Sequence, residues 1–479
     1  MSLKKKALSG VFWTFLQQFS TQGIAFVVSV ILARLLLPEE FGLIAMISVF
    51  MGIGTILMNA GLGSSLIRSK NPNQEDYSTV FFFNLGGSVV IYAIIFAIAP
   101  YIANFYNQDI LTNIVRWYAI TFIINAFSMI QLTRLTKLMD FKTQMIVAVP
   151  SLIVSGGVGI YMAYSGYGVW SLVGQILTQS IVSTLQLWYW SKWTPSWVFS
   201  KEKFIYHFNF GYKLTLSGIL DTIFTNAYAI IIGKFFPIAK VGYYQRANSL
   251  QLFPVGSISA VIGKVSYPLF AKIQDDDVQL KSVYKKIMQM IVFIVAPTLI
   301  VLGVLAEPLF RFLFTEKWLP AVPYFQILIF TGILYPIHAY NLNILNVKGR
   351  SDLFLKLEVI KKTITIIVIV IAFQFGIYGL LYGSVLVSLL AFFVNTYYSG
   401  KFINYSTFEQ VKDILPILAL ALITGILVYG IDYAVIKLFK YDLVRLLIGG
   451  FMAFVFYIPL SYLFKLNSLT ELINIIKKL

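Results

Sequence analysis

Residues 33–36 and 41–43 read Ala33-Arg34-Leu35-Leu36 and Phe41-Gly42-Leu43, and the pattern returns 200 positions later. There Gly233-Lys234-Phe235-Phe236 leads to Val241-Gly242-Tyr243, and Gly63 and Gly263 keep the same offset. Further on, Ala99-Pro100-Tyr101-Ile102 is answered by Glu307-Pro308-Leu309-Phe310 at an offset of 208. The same offset of 208 relates Gly168-Val169-Trp170-Ser171-Leu172-Val173 to Gly376-Ile377-Tyr378-Gly379-Leu380-Leu381. Correspondences in order and at near-constant spacing describe a chain that contains itself twice.

The sequence between the copies is apolar. Runs of about 20 apolar residues predict membrane-crossing helices. They lie near 11–33, 43–66, 77–99, 115–133, 144–164, 168–190, 211–233, 246–268, 288–312, 323–345, 361–375, 378–398, 413–435 and 443–464. Six spans separate each matching pair, an even number, so both copies share one orientation. Parallel repeats about an axis along the membrane normal are a transporter architecture. The fold class expected is an all-α integral membrane protein with about fourteen transmembrane helices, arranged as two six-helix repeats plus two further helices. The domains follow: 1–190 as a first six-helix lobe, 191–210 as a cytoplasmic interfacial linker, 211–400 as a second lobe, 401–464 as helices 13 and 14, and 465–479 as an amphipathic cytoplasmic tail.

Composition agrees. Of 479 residues, 58% are hydrophobic and 12% charged, and the mean hydropathy is +0.81. A soluble domain carries about 25% charged residues, so water could not solvate this chain as a globule. With no cysteine there is no disulfide, thiolate nucleophile or Cys-bound metal. Two histidines, His207 and His338, cannot make a His-rich metal site. No G-x-x-x-x-G-K-[ST] loop appears, so ATP hydrolysis is not indicated. The apolar run after Lys4, Lys5 and Lys6 is too long for a cleavable signal.

A net charge of +17 would suggest nucleic acid in a soluble protein. Counted by loop, 27 of the 37 Lys and Arg fall on the side that holds both termini. The positive-inside rule makes that side cytoplasmic, with no nucleic acid required. The inner face then keeps +15, the outer face +3, and Asp221 stands between them.

Trp188, Trp190, Trp193 and Trp197 cluster where the sixth span ends, the place amphipathic rings prefer. Lys201 to Tyr212 reads as a helix on the inner surface joining two halves, with His207 an interfacial side chain without chemistry. In the tail, Ser468 and Glu471 make an S-x-x-E cap, and Leu469, Leu472, Ile473, Ile476 and Leu479 form one apolar face.

Polar groups at mid-span face protein or a water-filled cavity. The first span carries Thr14, Gln18, Thr21 and Gln22; the sixth Ser171, Gln175, Thr178 and Gln179; the seventh Gly218, Asp221, Thr222, Thr225 and Asn226. The eighth opens with Gln245, Asn248 and Gln251. Stripes that bond hydrogen but are mostly uncharged suit a hydroxyl-rich cargo, although the same residue types also glue helices together. Asp221 is a candidate to couple transport to a cation or to pair with a base. His338, beside Pro336, reads as a satisfied structural residue. Arg68, Arg134, Lys213 and Lys264 sit at cytoplasmic ends of spans, where they would draw in a phosphorylated head group or simply orient the helices.

These segments resemble a known family. Ala33 to Leu43, Gly61-Leu62-Gly63-Ser64-Ser65-Leu66-Ile67-Arg68, Asp140-Phe141-Lys142, Gly168 to Val173, and Gly233-Lys234 with Gly242-Tyr243-Tyr244 carry the likeness. Lys317-Trp318 and Lys348-Gly349-Arg350-Ser351-Asp352 complete it. The sequence resembles the polysaccharide transporter family of the multidrug/oligosaccharidyl-lipid/polysaccharide (MOP) flippase superfamily, closest to its Wzx-type, colanic-acid-exporter-like branch. The resemblance runs from about residue 5 to residue 400 and implies two lobes in a V around a central cavity. It places Gln18, Gln22, Asn59, Asp221, Asn226, Asn248 and Lys264 in that cavity. Peptidoglycan-precursor flippases are expected to carry arginines midway along the first two spans. Here those spans offer Gln18, Gln22 and Asn59, which argues against that cargo.

The function expected is a flippase of the bacterial cytoplasmic membrane, both termini inside, moving polyprenyl-pyrophosphate-linked oligosaccharide outward by alternating access. It needs no cofactor and is not an enzyme. Membrane lipids, a polysaccharide polymerase with its chain-length machinery, and a proton or sodium ion as coupling ion are the partners implied. The rivals are a cation-coupled drug or metabolite antiporter of the same superfamily, a membrane polymerase or glycosyltransferase, and a scaffold.

Overall fold

In hydrocarbon a backbone must satisfy its own polar groups, and a helix does so within one segment. The computed structural model is accordingly helical almost throughout, with no strand among the described residues. It describes the backbone of residues 3–439, 441–466 and 468–471, and their side chains apart from residues 3–12, 257, 260–265, 267, 268 and 351. The tail helix expected beyond 471 and the side chain of Lys264 lie outside the described residues.

The first helices are α1 (Leu3–Leu35), α2 (Pro38–Asn59), α3 (Leu62–Arg68), α4 (Gln74–Tyr106), α5 (Ile110–Ala126), α6 (Met129–Lys137), α7 (Phe141–Tyr164), α8 (Trp170–Ser191), α9 (Lys201–Thr225) and α10 (Ala227–Phe235). Then follow α11 (Ile238–Lys272), α12 (Asp277–Val304), α13 (Ala306–Phe314), α14 (Val322–Val347), α15 (Ser351–Phe373), α16 (Gly376–Phe402), α17 (Thr407–Leu438) and α18 (Asp442–Leu463). Several starts follow their sequence signals. Asn73 accepts the Asp76 N–H at 2.9 Å while Asp76 accepts the Asn73 N–H, also at 2.9 Å, so the two cap α4 reciprocally. Ser406 and Glu409 do the same for α17.

Among the described residues, nine helices are long and apolar enough to cross a membrane, or up to eleven when each bent pair counts as one span. The bent pairs are α5 with α6 and α9 with α10, each turning by 47°. The expected surface helix from Lys201 to Tyr212 is not separate: α9 runs unbroken from Lys201 to Thr225.

The chain divides into two compact units, 1–242 and 243–479. In the first, α1 lies along α7, α7 along α8, and α4 along α5. Val28, Leu32, Leu36, Ala163 and Leu172 form one of its apolar clusters. In the second, α12 lies along α17, α14 and α15 both pack on α16, and α17 pairs with α18.

Helices α17 and α18 share a buried ion pair at their turn. Arg445 donates through Nε to Asp432 Oδ1 at 2.9 Å and through Nη2 to Oδ2 at 2.7 Å. Asp442 lies 3.5 Å from Arg445 and 3.3 Å from Arg311, which also binds Glu307 at 2.6 Å. The Arg445 fork thus ties α17 to α18, and Arg311 ties α18 to α13 through Asp442. Removing one partner of such a pair strands a buried charge, so Arg445→Met is expected to cost about 3–5 kcal/mol of stability. Arg445→Met with Asp432→Leu should recover most of it, as thermal melting of the purified protein would show.

Candidate functional site

The seventh span lies against the second along its length. Its inward-facing positions are small, and small residues let helix backbones approach closely. The contacts run antiparallel. At one end Gly61 meets Gly211 backbone to backbone, so that a Cβ on either would run into the other strand of chain. Next, a Cβ at Gly218 would sit 3.3 Å from Ile56 Cγ2, and one at Gly52 would sit 2.8 Å from Thr222 Cγ2. Ser48 Oγ then lies 2.8 Å from Asn226 Oδ1, and a Cβ at Gly233 would fall 2.9 Å from Met46 Cγ. Beyond the seventh span, where α2 begins beside the start of α11, a Cβ at Gly42 would lie 2.5 Å from the Ile238 carbonyl oxygen, while Gly242 abuts the Pro38 carbonyl. Gly42 at the start of α2 and Gly242 at the start of α11 therefore each face the first turn of the other helix, and they stand 200 residues apart in the sequence.

Both spans are broken where the seam demands it. Between α2 and α3, Ala60 (φ 44°) and Gly61 (φ 67°) are left-handed. That conformation is easy for glycine and costs other residues about 1–2 kcal/mol. Across this break the Gly63 N–H donates to Asn59 Oδ1 at 3.4 Å. Between α9 and α10, Asn226 occupies the bend and its Nδ2 donates to the Thr222 carbonyl at 2.8 Å. Asn59 and Asn226 are thus both bound at helix breaks.

One end of the seam carries a buried polar chain. His207 is fully buried, its Nδ1 2.8 Å from Ser65 Oγ on α3 and its Nε2 3.2 Å from Asp76 Oδ1 on α4. Lys203 reaches the same carboxylate oxygen at 3.4 Å. The expectation of an interfacial His207 is corrected: α9 buries that face against α3 and α4, and its imidazole is the bridge between them. At the opposite end, Lys234 donates to the Phe105 carbonyl at 2.5 Å and lies 4.8 Å from the Phe105 ring centre.

The other residues singled out from the sequence spread over several places. Gln18 and Gln22 are half-buried on α1, and Asp221 is exposed on α9. Asn248 belongs to the second unit and accepts from Gln251 Nε2 at 3.2 Å. Arg68 sits 4.7 Å from the Phe210 ring centre, and Lys213 lies 5.9 Å from that of Tyr212. Arg134 is elsewhere, donating to the Ser191 carbonyl at 3.2 Å and lining a separate pocket. His338 is satisfied by Ser388 Oγ at 3.0 Å and Asn395 at 3.4 Å. Ser48 was not foreseen, although the offset relating Gly42 to Gly242 also relates Ser48 to Asn248. Among the described residues no group of three His, Cys, Asp or Glu could hold a metal.

A family model described as "Polysaccharide biosynthesis protein" matches residues 31–323. The chain belongs to that family. It is 26% identical over 357 residues to the teichuronic acid biosynthesis protein TuaB of Bacillus subtilis (strain 168), covering 74% of this chain and 73% of that one. It is 24% identical over 413 residues to the lipopolysaccharide biosynthesis protein WzxC of Escherichia coli (strain K12), covering 86% and 84%. With the succinoglycan biosynthesis transport protein ExoT of Rhizobium meliloti (strain 1021) the identity is 25% over 333 residues, 69% of this chain and 67% of that one. Among solved structures, the lipid II flippase MurJ in an inward closed conformation superposes with a TM-score of 0.77 at 15% identity, covering 94% of this chain and 99% of that one. An inward-facing multidrug resistance MATE family transporter of the MOP superfamily gives 0.59 at 16%, covering 83% and 99%. The chain therefore shares its fold with these two transporters, and the family read from the motifs is the family found.

The seam predicts a graded response to small substitutions. Gly211→Ala and Gly242→Ala should each lower stability by about 1–3 kcal/mol, the usual cost of overpacking. Gly86→Ala, where a Cβ meets nothing within 4 Å, should not; melting curves of the three variants decide it.

Proposed function

We propose that this protein is a flippase that moves polyprenyl-pyrophosphate-linked oligosaccharide across the bacterial cytoplasmic membrane during polysaccharide biosynthesis. The observation that carries this reading is the family match over residues 31–323, with relatives named for polysaccharide biosynthesis and transport. The fold shared with a lipid II flippase supports it. So does the site: a flippase needs a path for sugar hydroxyls and no covalent chemistry, and the polar residues of α1 and α9 bond hydrogen without concentrating charge.

In this reading the chain has fourteen spans, with α8, α11 and α15 crossing in addition to the helices that are apolar enough by composition alone. Both termini face the cytoplasm, as the distribution of Lys and Arg favours. Alternating access would require the seventh span to move relative to the second, and the Gly61–Gly211 contact between them is the place to open. Gln18, Gln22, Asp221 and Asn226 would meet the glycan, joined by Asn248 and Lys264 on the family resemblance. Asp221 would take up the coupling cation.

A cation-coupled antiporter is the second reading, favoured by the MATE fold likeness. It gives no role to α17 and α18, which are tied to their unit by a buried ion pair.

Reconstitution into liposomes with a labelled lipid-linked oligosaccharide tests the proposal. Translocation that depends on the protein is expected, and Asp221→Asn should abolish its dependence on a proton or sodium gradient. Efflux of a soluble organic cation without movement of any such lipid would overturn the reading, and unchanged gradient dependence would remove Asp221 as the coupling group.

A further inference from the structure

A pocket of about 450 Å³ opens among the loops of the first unit, away from the helix 2–helix 7 seam. It is walled by the α3–α4 connection, the last turn of α6 and the segment after α8, and its size is that of a small-molecule site. Its lining includes Lys70, Arg134 and Lys137 and not one carboxylate. None of Gln18, Gln22, Asp221 and Asn226 lines it.

The nearby acids are committed elsewhere. Asp76 places Oδ2 on the Asn73 N–H at 2.9 Å and Oδ1 on His207 and Lys203. Asp140 accepts the Thr143 N–H at 3.0 Å and its hydroxyl at 2.7 Å. Glu75, in the first turn of α4, is outside the lining.

The cations have distinct tasks. Lys137 donates to the carbonyls of Leu66, Ile67 and Ser69 and so closes the C-terminus of α3. Its charge stays at the pocket wall while its donors are used. Arg134 spends an N–H on the Ser191 carbonyl, and a guanidinium has five. Lys70 is exposed at the mouth.

The wall itself is rigid: Trp193 Nε1 donates to Gln74 Oε1 at 2.7 Å, and Gln74 Nε2 donates to the Thr194 carbonyl at 2.8 Å and Ser196 Oγ at 3.0 Å. Trp193 packs edge-on against Tyr77 and Phe81 and is buried, so its ring offers no open face for a nucleobase. What remains is a guanidinium fork beside an exposed ammonium, the pairing that suits phosphate oxygens.

We propose that this pocket binds the phosphate or pyrophosphate group of an anionic lipid head group at the inner face of the membrane. The loop charges assign its face to the cytoplasm. Trp190 in the last turn of α8 and Trp197 on the segment that follows it are exposed and mark the level of lipid head groups. The site is separate from the proposed translocation path, and its occupancy does not depend on whether that path carries glycans.

The test uses the full chain in phosphatidylcholine nanodiscs. Inorganic pyrophosphate is titrated by calorimetry, and native mass spectrometry counts lipids retained from discs doped with phosphatidylglycerol or a polyprenyl pyrophosphate. At least one doped lipid should be retained, and Lys70→Gln and Arg134→Lys should each weaken retention about tenfold, or about 1.4 kcal/mol. Lys201→Gln, which removes the same charge outside the pocket, should leave it unchanged. Lys70 is exposed, so its replacement keeps the test valid if the Arg134 variant fails to fold. Binding of inorganic pyrophosphate with no lipid retained would overturn the lipid source. No binding of any probe, or an equal loss in Lys201→Gln, would overturn the site.

Discussion

The close approach of the second and seventh spans governs how the first unit is built. Side chains of ordinary size would hold two helices further apart, and here backbone meets backbone at glycines: 61 and 211 between the two spans, and 42 and 242 where α2 meets the start of α11. Along the rest of the two spans Gly52, Gly218 and Gly233 sit against side chains, and one polar pair, Ser48 and Asn226, lies at 2.8 Å. Lipid offers no hydrophobic drive to press helices together, so fit and hydrogen bonds must hold them. A seam of that kind is firm when closed. It also leaves few polar groups stranded when it parts, because Asn226 keeps its bond to the Thr222 carbonyl. The breaks at Ala60–Gly61 and Asn226 allow each half of a span to shift without unwinding the other.

How much of this was legible follows from what kind of signal each part leaves. The 200-residue offset pairs Gly42 with Gly242 in the order of residues, and the structure brings those two positions into contact. Helices followed from apolar length alone, because hydrocarbon permits little else. Asn226 was marked by being polar at mid-span, and His338 by standing beside a proline among apolar residues. The bridge of Ser65, His207 and Asp76 left no such trace. It joins three helices whose packing depends on the whole unit, and the basic, aromatic stretch around His207 looks like a surface helix when read alone. Arg445 and Asp432 were hidden for a similar reason: each counted as loop charge, and only the turn between α17 and α18 turns them into a buried pair. The four cytoplasmic bases were chosen by depth, whereas it is the folding of loops that puts Arg134 with Lys70 and Lys137 and leaves Arg68 against Phe210.

The chemistry left over is that of a carrier. In the proposed function, hydroxyl and amide groups on α1 and α9 would exchange hydrogen bonds with a passing glycan one at a time, so that no step would require a large loss of solvation at once. Most charge lies at the ends, His207, Asp76 and Lys203 at one and Lys234 at the other, with Asp221 between them on α9. In the proposed function a polar head would pass that single carboxylate while its lipid remained in the bilayer.

The chain has no native cysteine, which makes the central claim directly measurable. Ser48→Cys with Asn226→Cys places two thiols where the native side chains touch, and translocation of a labelled lipid-linked oligosaccharide is followed in liposomes before oxidation, after it, and after reduction. If translocation requires the second and seventh spans to part, the oxidised protein stops and dithiothreitol restores it. An oxidised, fully cross-linked protein that translocates at the reduced rate would contradict the account.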